Sequence, residues 1–244
     1  WSLGYGFDLQ EWVSASQLHD WHDYMQSQLG WFHFLGARSG GPISGTTHTE
    51  YNFWNSELSY SSYQHHRPDY DVYVASLAEV ADRPVMSEDR FRIRQGGPSK
   101  DYSAEDTRRG LWRSTMAGGV ANIWGNLIPP DDSGVSAAYP NQNELKTYSV
   151  FFFDQKRFVA DLRRANELTD GYALKTSDNQ TYIFYKEATS TMQMDLSGMG
   201  GAKQAIAVNT RGDYTEIDLG LLNPQIQTIT LPFESDWAIS LRDG

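Results

Sequence analysis

The periodicity of the chain changes once, near residue 168, and that change limits what it can fold into. Before it, short apolar runs alternate with longer stretches whose apolar residues recur at helical spacing. After it, apolar and polar residues alternate with period two. Helical stretches between apolar strands imply βαβ units and a parallel sheet, whereas period-two strands joined by Gly and Asn/Asp turns imply an antiparallel sheet with one face buried. The break therefore predicts two domains, 1–167 and 168–244.

In the first part the apolar runs fall at 1–7, 31–36, 58–63, 83–87 and 120–125. Between them, Ser14 or Ser16 is placed to cap a helix that carries Leu18, Trp21, Met25 and Leu29 on one face and ends at Gly30. A second helix is predicted over 69–81. A third starts at Ser103, with Glu105 and Asp106 in its first turn, where the helix dipole favours acids, and breaks at Gly118-Gly119. A last one is predicted over 148–165. In the second part the strands are expected at 181–185, 192–196, 204–208, 227–231 and 237–241.

Polar residues gather where the strands of the first part end: Asp8, Arg38, Gln64, Glu88 and Asn126. In a (β/α) barrel that end is the active face. The expected architecture is thus α/β plus all-β: a partial (β/α)8 TIM barrel, its C-terminal half, followed by a small antiparallel β-sandwich. A closed barrel takes eight βα units and about 250 residues. The first part is shorter than that, so its open sheet edges call for a second copy of the chain or a complementing N-terminal half-barrel. The chain opens directly on an apolar run at Trp1, which suggests a processed or truncated product.

Composition narrows the partners. A net charge of −11 comes with no basic stripe, which argues against nucleic acid. No apolar run approaches the ~20 residues of a membrane helix. There is no cysteine, which removes disulfides and thiolate metal sites. Aromatic residues make up 14%, with 8 Trp and 14 Tyr. Such rings stack on sugars, and they also fill cores.

Glu88 ends the strand that starts at Pro84 and is followed by Arg90, Arg92 and Arg94, which would keep its carboxyl ionised as a nucleophile requires. The competing reading is a surface carboxylate paired with those arginines. Glycoside hydrolysis needs two carboxyl groups facing each other across the bond. Asp8 or Glu11 opposite Glu88 would supply the pair, unless Asp8 only caps the next helix. Gln64 and His66, beside Tyr63, suit sugar hydroxyls. His65 and His66 are adjacent, diverge on a strand and lack a third ligand at helical spacing, so no metal and no cofactor are expected. His19 and His22 read as surface or packing residues. Trp124 could floor a sugar site or plug the barrel end, and Arg38 completes the candidate substrate-binding set.

The segments Trp1 to Asp8 (WSLGYGFD), Ser62 to His66 (SYQHH), Arg83 to Glu88 (RPVMSE) and Thr107 to Gly119 (TRRGLWRSTMAGG) together resemble the apiosidase-like glycoside hydrolases. The tail from Leu231 to Ile239 (LPFESDWAI) is similar to the closing strand of that family's C-terminal β-sandwich, a domain associated with collagen binding. The resemblance implies a TIM barrel followed by the sandwich, with the strands here matching the fourth to eighth of the barrel. It implies Asp8 as acid/base and Glu88 as nucleophile of a retaining mechanism on a poly- or oligosaccharide, and secretion or a periplasmic location. A non-catalytic carbohydrate-binding or assembly protein derived from such an enzyme is the alternative.

Overall fold

The computed structural model describes residues 2–3, 14–30, 36–39, 60–63, 70–79, 84–87, 103–119 and 141–242. The chain divides into two compact units, Trp1–Ala138 and Tyr139–Gly244.

The first unit is built of parallel strands and helices. Among the described residues, β1 (Ser2–Leu3), β2 (Gly36–Ser39), β3 (Ser61–Tyr63) and β4 (Val85–Ser87) pair in that order, every pair parallel. Helix α1 (Ala15–Leu29) connects β1 to β2, and α2 (Tyr70–Glu79) connects β3 to β4, so strand order follows chain order as successive βα units require. Of the two caps the sequence offers, Ser14 and Ser16, helix α1 begins at Ser14. The Ser14 hydroxyl accepts the Gln17 N–H while the Gln17 side chain accepts the Ser14 N–H, and Gly30 closes the helix in the left-handed region at φ 72°. Met25 and Leu29 are half-buried, but Trp21 is 45% exposed and does not belong to the inward face expected of it.

Helix α3 (Ala104–Met116) has the same kind of start, a reciprocal cap between Ser103 and Asp106. Thr107, Arg108, Gly110, Leu111, Trp112, Ser114, Thr115 and Met116 are all buried, so this helix is enclosed on more than one face. Its end meets α2. A Cβ at Gly119 would stand 3.0 Å from the Tyr73 ring, and one at Gly118, where φ is 91°, would stand 3.4 Å from Leu77. Small residues there let the two helices approach.

The second unit holds a six-stranded antiparallel sheet: β5 (Leu162–Arg164), β6 (Tyr172–Thr176), β7 (Tyr182–Asp195), β8 (Lys203–Asn209), β9 (Glu216–Leu222) and β10 (Ile226–Arg242). The spatial order is β5-β6-β7-β10-β8-β9. The runs 181–185 and 192–196, expected as separate strands, belong to one long strand, β7; 227–231 and 237–241 likewise form β10. What looked like turns are bulges. Pairing of β10 with β7 shifts between Thr230 and Ser235 and again before Trp237, and Pro232, which has no N–H to give a ladder, falls in that interval. Polar groups stitch the bulge. The Ala188 N–H donates to Asp236 Oδ1 (2.8 Å), the Thr210 N–H and hydroxyl both donate to the Asp236 carbonyl, and Trp237 Nε1 donates to the Phe233 carbonyl (3.0 Å).

The core of this sheet gathers Tyr182, Phe184, Met192, Met194, Leu196, Trp237, Ile239 and Leu241 with smaller residues between them. Ile183, Tyr185, Val208 and Ala238, the alternate residues of the same strands, are buried as well. Burial on both faces explains why 182–185 reads as a continuous apolar run. Trp237 lies in this core.

A helix precedes the sheet, but earlier than the period suggested. It is α4 (Gln142–Ser149), which widens into a π-helical turn (Val150–Asp154). Lys156, at φ 53°, stops it, and Leu162–Arg164 pairs with β6 where helix was expected.

Candidate active site

The sequence puts its candidate site where the parallel strands end. Their register sets up two rows across that end. Arg38 on β2 pairs with Ser62 on β3, which pairs with Met86 on β4; one step further, Ser39 pairs with Tyr63 and Tyr63 with Ser87. Arg38 and Tyr63 are therefore brought together on adjacent strands, one row apart, at the C-terminal ends. Tyr63 and Ser87 are the last residues of β3 and β4, and in the sequence they directly precede Gln64 and Glu88. Asp8, Gln64, His66, Glu88 and Trp124 themselves lie outside the described residues.

On α1, His19 and His22 each stand 3.4 Å from the Asp23 carboxylate. Among the described residues no group of three or more His, Cys, Asp or Glu side chains is arranged to hold a metal ion. None of the described helices is long and apolar enough to cross a membrane.

A glycoside hydrolase family 5 protein from Bacteroides vulgatus is similar in structure, with a TM-score of 0.66 at 16% sequence identity, over 96% of this chain and 67% of that one. The fold is shared with glycoside hydrolases. A second solved structure, a glycoside hydrolase, matches at a TM-score of 0.65 and 15% identity over 95% of this chain and 70% of its own. The sequence itself matches no protein-family model and no curated protein.

The second unit also holds a polar cluster that sequence reasoning missed. The Arg157 side chain is buried. Its Nη1 donates to the Tyr214 hydroxyl (2.9 Å) and the Phe151 carbonyl (3.2 Å), its Nη2 donates to Glu216 Oε1 (2.7 Å), and its guanidinium lies 4.6 Å from the centre of the Phe151 ring. The Tyr214 hydroxyl donates to the same Glu216 oxygen. Burial pulls the Glu216 carboxyl up, but hydrogen bonds from Tyr214 and Arg157 and the charges of Arg157 and Arg242 outweigh it, leaving it below the usual carboxylate range. Burial and the bond to Glu216 push the Tyr214 phenol up to about 12, against the pull of Arg157. No local motif announces these partners, because Arg157 and Glu216 are 59 residues apart.

Proposed function

We propose that this chain acts on a poly- or oligosaccharide as a glycoside hydrolase of the apiosidase-like type. In this reading the first unit corresponds to the C-terminal half of a (β/α)8 barrel, and the second is a β-sandwich with no catalytic role. The supporting observation is the parallel strand array whose last residues, Tyr63 and Ser87, lead directly into Gln64 and Glu88, in a fold shared with glycoside hydrolases. Glu88 attacks the anomeric carbon while Asp8 protonates the departing oxygen. Asp8 then takes a proton from the water that hydrolyses the glycosyl-enzyme, as a retaining mechanism demands. Arg38, Tyr63, Gln64, His66 and Trp124 hold the sugar. A second copy of the chain, or an N-terminal half-barrel, covers the open edges of the parallel sheet.

The test is turnover of a panel of aryl glycosides by the full chain and by Glu88→Gln, alongside calorimetric titration with oligosaccharides. Turnover that Glu88→Gln abolishes supports the enzyme. Oligosaccharide binding without turnover by either protein assigns the chain instead to non-catalytic carbohydrate binding. Turnover that survives Glu88→Gln removes Glu88 as nucleophile.

A further inference from the structure

The helical segment that opens the second unit is tied to the sheet by polar groups and also holds the buried rings of Phe151 and Phe152. The Thr147 hydroxyl donates to the Gly212 carbonyl (2.6 Å), Arg242 Nη1 donates to the Gln155 carbonyl (3.0 Å), and Arg157 reaches Tyr214 and Glu216 across the β8–β9 connection. The main hydrophobic cluster of the sheet draws its residues from Ala165 to Leu241 and none from this segment. A charged cluster thus joins segment to sheet, while the sheet keeps a core of its own.

We propose that Arg157, Glu216 and Tyr214 form an acid-released latch: protonation of Glu216 frees the segment Gln142–Asp154 from the β8–β9 hairpin while the sheet stays folded. The charges around Glu216 make this the expected response. Arg157, just past the helical segment and bonded back to its Phe151 carbonyl, reaches it from one side and Arg242 from the end of β10, and both are cationic; Tyr214, from the β8–β9 connection, is neutral. Once the carboxylate is neutralised, two cations remain with no anion between them, and the Arg157 side chain, only 1% exposed, becomes a buried charge without a counter-ion. Undocking returns that guanidinium to water. The buried rings of Phe151 and Phe152 oppose it, which keeps the latch shut while Glu216 is ionised. Because the Glu216 carboxyl is held below its ordinary 4.5, the latch is at full strength above that pH and weakens as pH falls through the depressed value. The inference does not depend on the proposed catalytic role.

Hydrogen exchange read by mass spectrometry on the full chain at pH 7 and pH 3, corrected for intrinsic exchange rates, tests it. Peptides covering 142–158 should lose protection by up to about 30-fold at pH 3, the most a carboxyl with an ordinary value of 4.5 can lose over that range, whereas those covering 182–195 and 226–242 should change far less. Glu216→Gln should show the open segment already at pH 7. Arg157→Met, which removes the buried cation, should leave the segment docked and abolish the pH step. The proposal is overturned if segment and sheet lose protection together, if the segment is equally protected at both pH values, or if Arg157→Met keeps the pH step; the last two arms hold even where Glu216→Gln fails to fold.

Discussion

Gly171 is the position where a single methyl group tests the packing of the second unit most sharply. It lies just before β6 and crosses β7 so closely that a Cβ there would stand 2.6 Å from the Tyr185 carbonyl oxygen, 2.9 Å from Lys186 Cβ and 3.3 Å from Lys186 Cγ. The nearest atom is backbone in the middle of a paired strand, since Tyr172 is in register with Tyr185. It cannot swing aside as a side-chain tip would. Ordinary contact begins near 3.4 Å, so β6 has to move away from β7 by most of an ångström. Overpacking of that kind costs about 1–3 kcal/mol. In a chain of this size it lowers the melting temperature by roughly 2–12 °C. Gly201→Ala is the matched control: a Cβ there meets nothing within 4 Å and the backbone is not left-handed. Restricting the unfolded chain makes that change neutral or stabilising by up to about 1 kcal/mol. Thermal unfolding of both variants by calorimetry decides the matter. If Gly171→Ala melts with Gly201→Ala, the close approach of β6 to β7 is wrong and so is the register drawn from it.

Other expectations follow from the same geometry. Trp237→Ala empties the centre of the sheet core and strips the Phe233 carbonyl of its donor, so urea denaturation should show a loss of about 3–5 kcal/mol, and a loss under 1 would place Trp237 outside the core. Ser103→Ala removes the reciprocal cap of α3 and should cost about 1 kcal/mol, read as a lower denaturation midpoint of the first unit. Asp170 accepts from Lys186 Nζ (2.6 Å) and the Gln193 N–H (3.1 Å); burial pulls its carboxyl up, but these bonds and the Lys186 charge hold it below its ordinary 3.8. Its contribution is therefore complete above that value and lost as pH falls through the depressed one, and Asp170→Asn should flatten that part of a melting-temperature profile taken from pH 6 to pH 2.

Local chemistry was legible in the sequence where it acts within a few residues. Ser14 with Gln17, Ser103 with Asp106, and Gly30 in the left-handed region mark the helix ends where they are found. The parallel order of β1 to β4 follows from alternating periods, and the antiparallel second unit from alternating side chains. What the sequence hid was long-range. Thr230 and Ser235 look like the two sides of a turn because the partner that turns them into a bulge, Thr191 to Thr189, is some 40 residues away. A helix is expected over 148–165, whereas Phe158 and Val159 are exposed past its observed end and Leu162 pairs with Thr176. Of the candidate site, Arg38 and Tyr63 fall near the ends of neighbouring strands. Asp8 and Glu88 lie outside the described residues, and no period in a sequence encodes the opposition proposed for them.

That opposition is also where the functional account is most exposed to experiment. Incubating the full chain with a panel of 2-deoxy-2-fluoro glycosides bearing good leaving groups slows hydrolysis of a glycosyl-enzyme, so the intact mass and then the peptide masses report which residue was glycosylated. The account predicts a single glycosyl adduct on the peptide containing Glu88, absent in Glu88→Gln. An adduct on another residue, or hydrolysis of the matching unfluorinated glycoside with inversion and no adduct, would contradict it.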